Sequence, residues 1–128
     1  MIAVADVPKS SEWYCGLLGA QNNHPGSTVF DQIMDKDGTI LLCVHYWGPS
    51  GLRGDHHWAS LSDPHHGPAW NGLLLWFVVD DFENAWERAQ SMGVAIEESP
   101  NTDNGTRMRA FVVRDPDGYY VAVNEARS

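Results

Sequence analysis

Side chains able to do chemistry are spread unevenly along this chain. Four of the six histidines stand in two adjacent pairs, His56-His57 and His65-His66, near Asp55 and Asp63. Imidazoles with carboxylates suit zinc or nickel. The paired histidines lack the register that a helix or strand imposes on a ligand set, so a polar loop is the better reading. Elsewhere the acid–base candidates are His45, Asp31 and Glu125. His45 is expected to pack towards a helix, as a structural histidine rather than a base. Ser10-Ser11 begins a helix with no Gly-x-Ser-x-Gly elbow, which argues against a serine hydrolase. Phosphate loops and dinucleotide fingerprints are absent. Cys15 and Cys43 form no Cys-x-x-Cys pair and read as reduced, half-buried thiols of a cytoplasmic protein, with a disulfide between them as the alternative. Six tryptophans are many for 128 residues. Most should be core, leaving one or two to stack on a planar ligand.

The elements that must position these groups follow from hydrophobic patterning. Ile2–Val7 is a short apolar strand around Asp6. Pro8 suits the first turn of a helix, Trp13, Leu17 and Leu18 recur at helical spacing, and Gly19 closes the helix. A polar loop spans Gln21–Ser27. Thr28–Met34 and Thr39–Trp47 are strands joined by Asp35-Lys36-Asp37-Gly38, a good hairpin turn. The second half repeats this order. Leu73–Val79 is a strand, and Asp80 or Asp81 caps a helix with the apolar face Phe82, Ala85, Trp86, Ala89 and Met92, which Gly93 ends. Val94–Glu98 is a strand, Asn101–Gly105 a turn, and Thr106–Arg114 with Tyr119–Glu125 a closing hairpin around Asp115-Pro116-Asp117-Gly118. Both halves read strand, helix, strand, strand, an internal duplication. Physics alone gives an α+β fold with helices on one face of mixed sheets.

Composition narrows the function. Hydrophobic residues make up 43% of the chain, enough for a packed interior. The formal charge is −9, from 17 acidic and 8 basic residues, which disfavours nucleic acid and anionic membranes as partners. No apolar run approaches the roughly 20 residues of a membrane span. No basic segment followed by an apolar core opens the chain, so no secretory leader is expected.

The stretch Phe111–Glu125, with its Asp-Pro-Asp-Gly turn, resembles the last hairpin of the vicinal oxygen chelate superfamily. That superfamily includes glyoxalase I, extradiol dioxygenases, fosfomycin-resistance enzymes and bleomycin-resistance proteins. Asp6 to Gly19 with Trp13-Tyr14, and Asp81 to Gly93, are similar to the family's two strand-to-helix passages. The resemblance implies one domain over 1–128 built of two βαβββ modules, about 1–48 and 73–126, with a loop at 49–72. Their curled mixed sheets would surround a cleft.

The resemblance also implies where a metal would bind. One ligand position lies seven residues before Asp6, ahead of Met1, and the others fall on Leu42, Leu74 and Ala122. None of these three side chains offers a lone pair, so neither metal nor other cofactor is expected. By strand alternation the cleft would instead present Leu42 with Ile40, Val44 and Tyr46, Leu74 with Trp76 and Val78, and Ala122 with Tyr120 and Asn124. Arg107, Arg109 and Phe111 would form the matching face of the adjoining strand. This aromatic set reads equally as core or as pocket; the two arginines favour a pocket, because unpaired buried charge is costly.

Three functional readings follow, in order of preference. The first is a metal-free, homodimeric, cytoplasmic protein that binds a small molecule, similar to the bleomycin-resistance branch. Acidity and tryptophans suit a planar cation in that cleft, whereas Arg107 and Arg109 would prefer a carboxylate or phosphate. The second is a lyase, isomerase or dioxygenase working through a relocated metal or through His45, Glu125 or Asp31. The third is a structural dimer with a filled cleft. The loop Gly48–Gly72 could serve as a lid carrying Trp58 and Trp70.

Overall fold

A computed structural model describes residues 1–47, 73–102 and 107–127. The histidine pairs, Trp58 and Trp70 lie outside the described residues, as does most of the expected turn at Asn101–Gly105.

The first half folds as β1 (Ile2–Val4), α1 (Val7–Leu18), β2 (Gln21–Asn22), β3 (Phe30–Met34) and β4 (Ile40–Tyr46). The second folds as β5 (Leu74–Val79), α2 (Phe82–Met92), β6 (Ala95–Asn101), β7 (Ala110–Arg114) and β8 (Tyr120–Glu125). Each half makes a four-stranded mixed sheet, in the orders β1-β4-β3-β2 and β5-β8-β7-β6. In both, the first strand runs parallel to the last and the remaining pairs are antiparallel. Neither sheet closes on itself, and the α+β pattern of two βαβββ units is realised.

Local chemistry explains most boundaries. Asp6 caps α1 by accepting from the Lys9 N–H at 3.0 Å, and Asp81 caps α2 through Asn84 N–H at the same distance. Gly19 and Gly93 end the helices in the left-handed region, at φ 64° and 66°. Replacing either capping aspartate by alanine is expected to cost about 1 kcal/mol, read as a lowered urea midpoint at unchanged slope. The strand β2 falls inside the segment expected to be a polar loop. Its two residues carry no alternation to read; they are held by pairing to Ile33 and Met34 and by the Asn22 amide donating to Asp31 at 2.9 Å.

A single hydrophobic cluster takes residues from both helices and both sheets, including Val4, Tyr14, Leu17, Ile33, Val44, Phe82, Phe111 and Val123. Tyr14 of α1 meets Phe77 of β5 at 6.3 Å between ring centroids. From α2, the Arg88 guanidinium donates through Nε to the Leu17 carbonyl at 3.2 Å. It serves the C-terminus of α1, whose own last turn has no basic residue.

A second junction between the halves is polar. The Asp115–Tyr119 connection abuts the end of β1 and the middle of α1. Ala5 N–H donates to Asp117 Oδ1 (3.1 Å), the Tyr119 hydroxyl to the Ala3 carbonyl (3.0 Å), and the Tyr14 hydroxyl to Asp115 Oδ2 (2.7 Å). Asp115 Oδ1 also accepts from the Asp117 and Tyr119 N–H groups at 2.9 and 2.8 Å. Burial pushes the Asp115 carboxyl above the usual range, more than these donors and despite them, and Asp117 adds to the rise. Among the described residues no helix is long and apolar enough to cross a membrane.

Candidate functional site

Each sheet has one face covered by helices and one turned away, so strand register decides which side chains a ligand could meet. In the second sheet Leu74 pairs with Tyr120, Trp76 with Ala122 and Val78 with Asn124. These six residues share the face turned from the helices, because Leu75, Phe77 and Val79 alternate with them and pack on the core. Leu74, Trp76 and Val78 are 53%, 54% and 52% exposed, an apolar stripe along an edge strand. Behind it Asn124 is only 2% exposed and donates from Nδ2 to the Phe77 carbonyl at 3.2 Å. Trp76, Val78, Met108, Asn124, Glu125 and Arg127 line a pocket of about 250 Å³ on this face.

Phe111 and Arg109 do not join that face, which corrects the expected alternation. Ala122 pairs with Val112, and Phe111 with Val123. Phe111 is fully buried against Phe82 and Trp86 of α2, at 5.6 and 5.0 Å between centroids. The cause is turn length. A four-residue turn would pair Arg114 with Tyr119, but Tyr119 belongs to the connection, where Asp115 N–H donates to its carbonyl and Gly118 sits at φ 93°. One extra residue reverses every side chain beyond it. Arg109 accordingly lies on the helix side, over the Phe82 ring at 4.7 Å and ion-paired to Glu83 and to Glu125, the latter at 2.8 Å. The hydrogen bond from Arg109 holds the Glu125 carboxyl below its ordinary range, and both carboxylates hold the guanidinium charged. Arg107 lies outside β7, exposed and at φ 67°.

The residue that register does bring to the open face is Arg114, opposite Tyr120. Its guanidinium stacks on the Tyr120 ring at 3.6 Å, donates to the Tyr120 hydroxyl and the Gly118 carbonyl, and pairs with Glu97 at 2.9 Å. Val112 shares that face. Both would have been found by reading Gly118 as the left-handed residue of a bulged hairpin.

The first sheet differs. Met34 pairs with Ile40 but Ile33 pairs with Leu42, so Leu41 is an unmatched bulge residue. The bulge separates the facing of Ile40, 50% exposed, from that of Leu42, which is 8% exposed in the core beside Ile33 and Val44. The expectation that Leu42 lines the cleft is thereby corrected. Tyr46 shares its parity and stacks on Trp47 at 5.7 Å, beside a pocket that also includes Asp6, Pro8 and Thr28. The face turned from α1 carries instead Ala3, Phe30, Gln32, Cys43 and His45. His45 therefore faces away from the helix, contrary to expectation. Its Nδ1 is 2.6 Å from the Tyr46 carbonyl. A carbonyl only accepts, so Nδ1 carries the hydrogen and Nε2 is left as an acceptor.

The other acid–base candidates are engaged. Asp31 lies under α1. Its burial is outweighed by hydrogen bonds from the Asn22 amide and the His24 and Gln32 N–H groups, which hold its carboxyl below the usual range. Cys15 and Cys43 are both free thiols, and burial, with Asp31 nearby, pushes Cys15 upward, away from thiolate reactivity. A divalent metal does not fit the positions the fold would offer it. Leu74 and Ala122 face the open side without donor atoms, Leu42 is in the core, and among the described residues no three His, Cys, Asp or Glu side chains converge.

Solved structures share this architecture. An integron cassette protein from the mobile metagenome of Vibrio cholerae is 21% identical, with 98% of this chain and 91% of that one covered at a TM-score of 0.70. TioX from Micromonospora is 16% identical, covering 97% and 93% at 0.69. A glyoxalase/bleomycin resistance protein from Catenulispora acidiphila is 21% identical, covering 98% and 94% at 0.61. At these identities the likeness concerns the fold. A family model described as the Glyoxalase/Bleomycin resistance protein/Dioxygenase superfamily matches residues 1–123. With that match over nearly the whole sequence, and with two βαβββ units in its structure, this chain belongs to the glyoxalase/bleomycin resistance/dioxygenase superfamily.

Proposed function

We propose that the chain is a metal-independent small-molecule binding protein, acting in the cytoplasm as a homodimer, with the open face of the second sheet as its ligand surface. The observation that carries this reading is the stripe Leu74, Trp76 and Val78 standing over the buried Asn124 amide. Leu74 and Ala122, two positions at which the family resemblance would place metal ligands, belong to this face and carry no donor atom. A small apolar surface with one fixed polar group is how ligand sites obtain both affinity and orientation. The stripe lies on an edge strand, and exposed apolar edges are normally covered. A second copy packed across the stripe would enclose the ligand between the two chains. Net charge argues against nucleic acid as a partner.

The test is Trp76→Arg against the unaltered protein, followed by light scattering and by fluorescence titration with planar aromatic compounds. A mass of two chains and Trp76-dependent quenching are expected. A monomer whose emission ignores every compound would refute the reading.

One observation favours a second reading, a lyase or isomerase using acid–base chemistry. Of His45, Asp31 and Glu125, His45 alone has a side-chain polar atom, its second ring nitrogen, with no hydrogen bond among the described residues, in a ring that is largely buried. Such an enzyme would wash solvent deuterium into an enolisable ketone such as hydroxyacetone, and His45→Gln would abolish the exchange.

A further inference from the structure

We infer that Asn124 selects ligands carrying an N–H or O–H donor at the edge of a planar ring, an inference that rests on the binding reading above. The argument begins with the amide's orientation. Asn124 Nδ2 lies 3.2 Å from the Phe77 carbonyl, and a carbonyl accepts only from the nitrogen end. The flip is therefore fixed by a backbone atom. Oδ1, which makes no hydrogen bond among the described residues, is the end left for the pocket that Asn124 lines.

No hydrogen bond from the pocket's other lining residues to Oδ1 is present among the described residues. Trp76, Val78 and Met108 supply apolar walls, and Trp76 presents an exposed indole for stacking. Glu125 is bound to Arg109 and lies with Arg127 at the same pocket. An acceptor at the back of an apolar pocket loses its water when a ligand enters, and the loss is recovered only if the ligand brings a donor. The arginines that would have asked for an anion are otherwise engaged: Arg109 with two carboxylates on the opposite face, Arg114 with Glu97. Arg127 is the cation left at the pocket, and the donor requirement at Asn124 holds whatever charge the rest of the ligand presents to it.

The probes are indole and 1-methylindole, the same ring with and without the donor. Hydrophobicity alone favours 1-methylindole by about fourfold, from one added methyl group. Each is titrated into isotope-labelled protein and followed by the Asn124 side-chain amide and the Trp76 indole resonances. We expect indole to bind several-fold tighter, shifting both resonances. Asn124→Ala should reverse the order to the fourfold preference for 1-methylindole. The comparison within the unaltered protein decides the matter even if a variant fails to fold. If 1-methylindole binds tighter to the unaltered protein while shifting Trp76, the donor requirement is overturned and the binding site stands. If neither compound shifts Trp76, the binding reading falls and the inference with it.

Discussion

Phe111→Ala should lower the unfolding free energy by about 4 kcal/mol while leaving ligand affinity unaltered at temperatures where the variant is folded. The ring is fully buried between Phe82 and Trp86, and truncation leaves a cavity that two aromatic neighbours on a capped helix cannot easily fill. Had Phe111 shared the face of Ala122, the same substitution would instead weaken ligand binding with a small stability loss. Urea unfolding and a ligand titration on one sample therefore decide the face of β7. A loss under 1 kcal/mol would be incompatible with the register described.

The second large effect is expected at Asp115. Its carboxylate accepts from the Tyr14 hydroxyl and two backbone N–H groups at a buried junction, and alanine would strand all three donors. A loss of about 3 kcal/mol is expected for Asp115→Ala, and about 1 kcal/mol for Tyr14→Phe, which removes one donor and leaves the rest. The two effects should not add, because the hydroxyl and the carboxylate share one bond. Asp115 also has a pH signature. Burial raises its folded pKa above the unfolded value near 3.9, so the native state holds more protons in the window just above that value. Its contribution to stability is most favourable below the unfolded pKa and declines as pH rises through the raised folded value. The difference in unfolding free energy between the unaltered protein and Asp115→Asn should thus shrink from acid towards neutral pH. A difference that grows over that interval would show a depressed pKa instead.

Much of the fold could be read from residue types because its signals are local. Asp6 and Asp81 as caps, Gly19 and Gly93 as stops, and the two Asp-x-Asp-Gly turns each act within a few residues. The superfamily resemblance over the last hairpin pointed the same way. What could not be read was side-chain facing. The parity of β7 depends on whether Tyr119 is the last residue of a turn or the first of a strand, which a hydrogen bond to Asp115 decides. In β4 the alternation of Leu42, Val44 and Tyr46 is as expected, but which of the two faces meets α1 is not marked by residue type, and a bulge at Leu41 sets Ile40 apart from them. Counting from Asp81 and from Gly118 did place Leu74, Trp76, Ala122 and Asn124 together, because β5 and β8 pair without interruption. A single-residue shift puts Arg109 and Phe111 on the helix side and Arg114 on the open face, whereas Leu42 and His45 exchange expected surroundings because the core lies on the other side of β4.

The polar junction also bears on the order in which the chain acquires its structure. Its bonds join residues 101, 112 and 116 positions apart, nearly the full span of the sequence. Contacts so distant form after local ones, and on a ribosome they cannot form until the final hairpin has emerged. Until then β1 can pair with β4 but lacks its clamp, so that Ala3 and Ala5 are without the Tyr119 and Asp117 bonds. Synthesis from the N-terminus thus leaves the first sheet to form without its fastening to the second half, and the interval before residue 119 emerges is when that sheet is most open to capture by a chaperone.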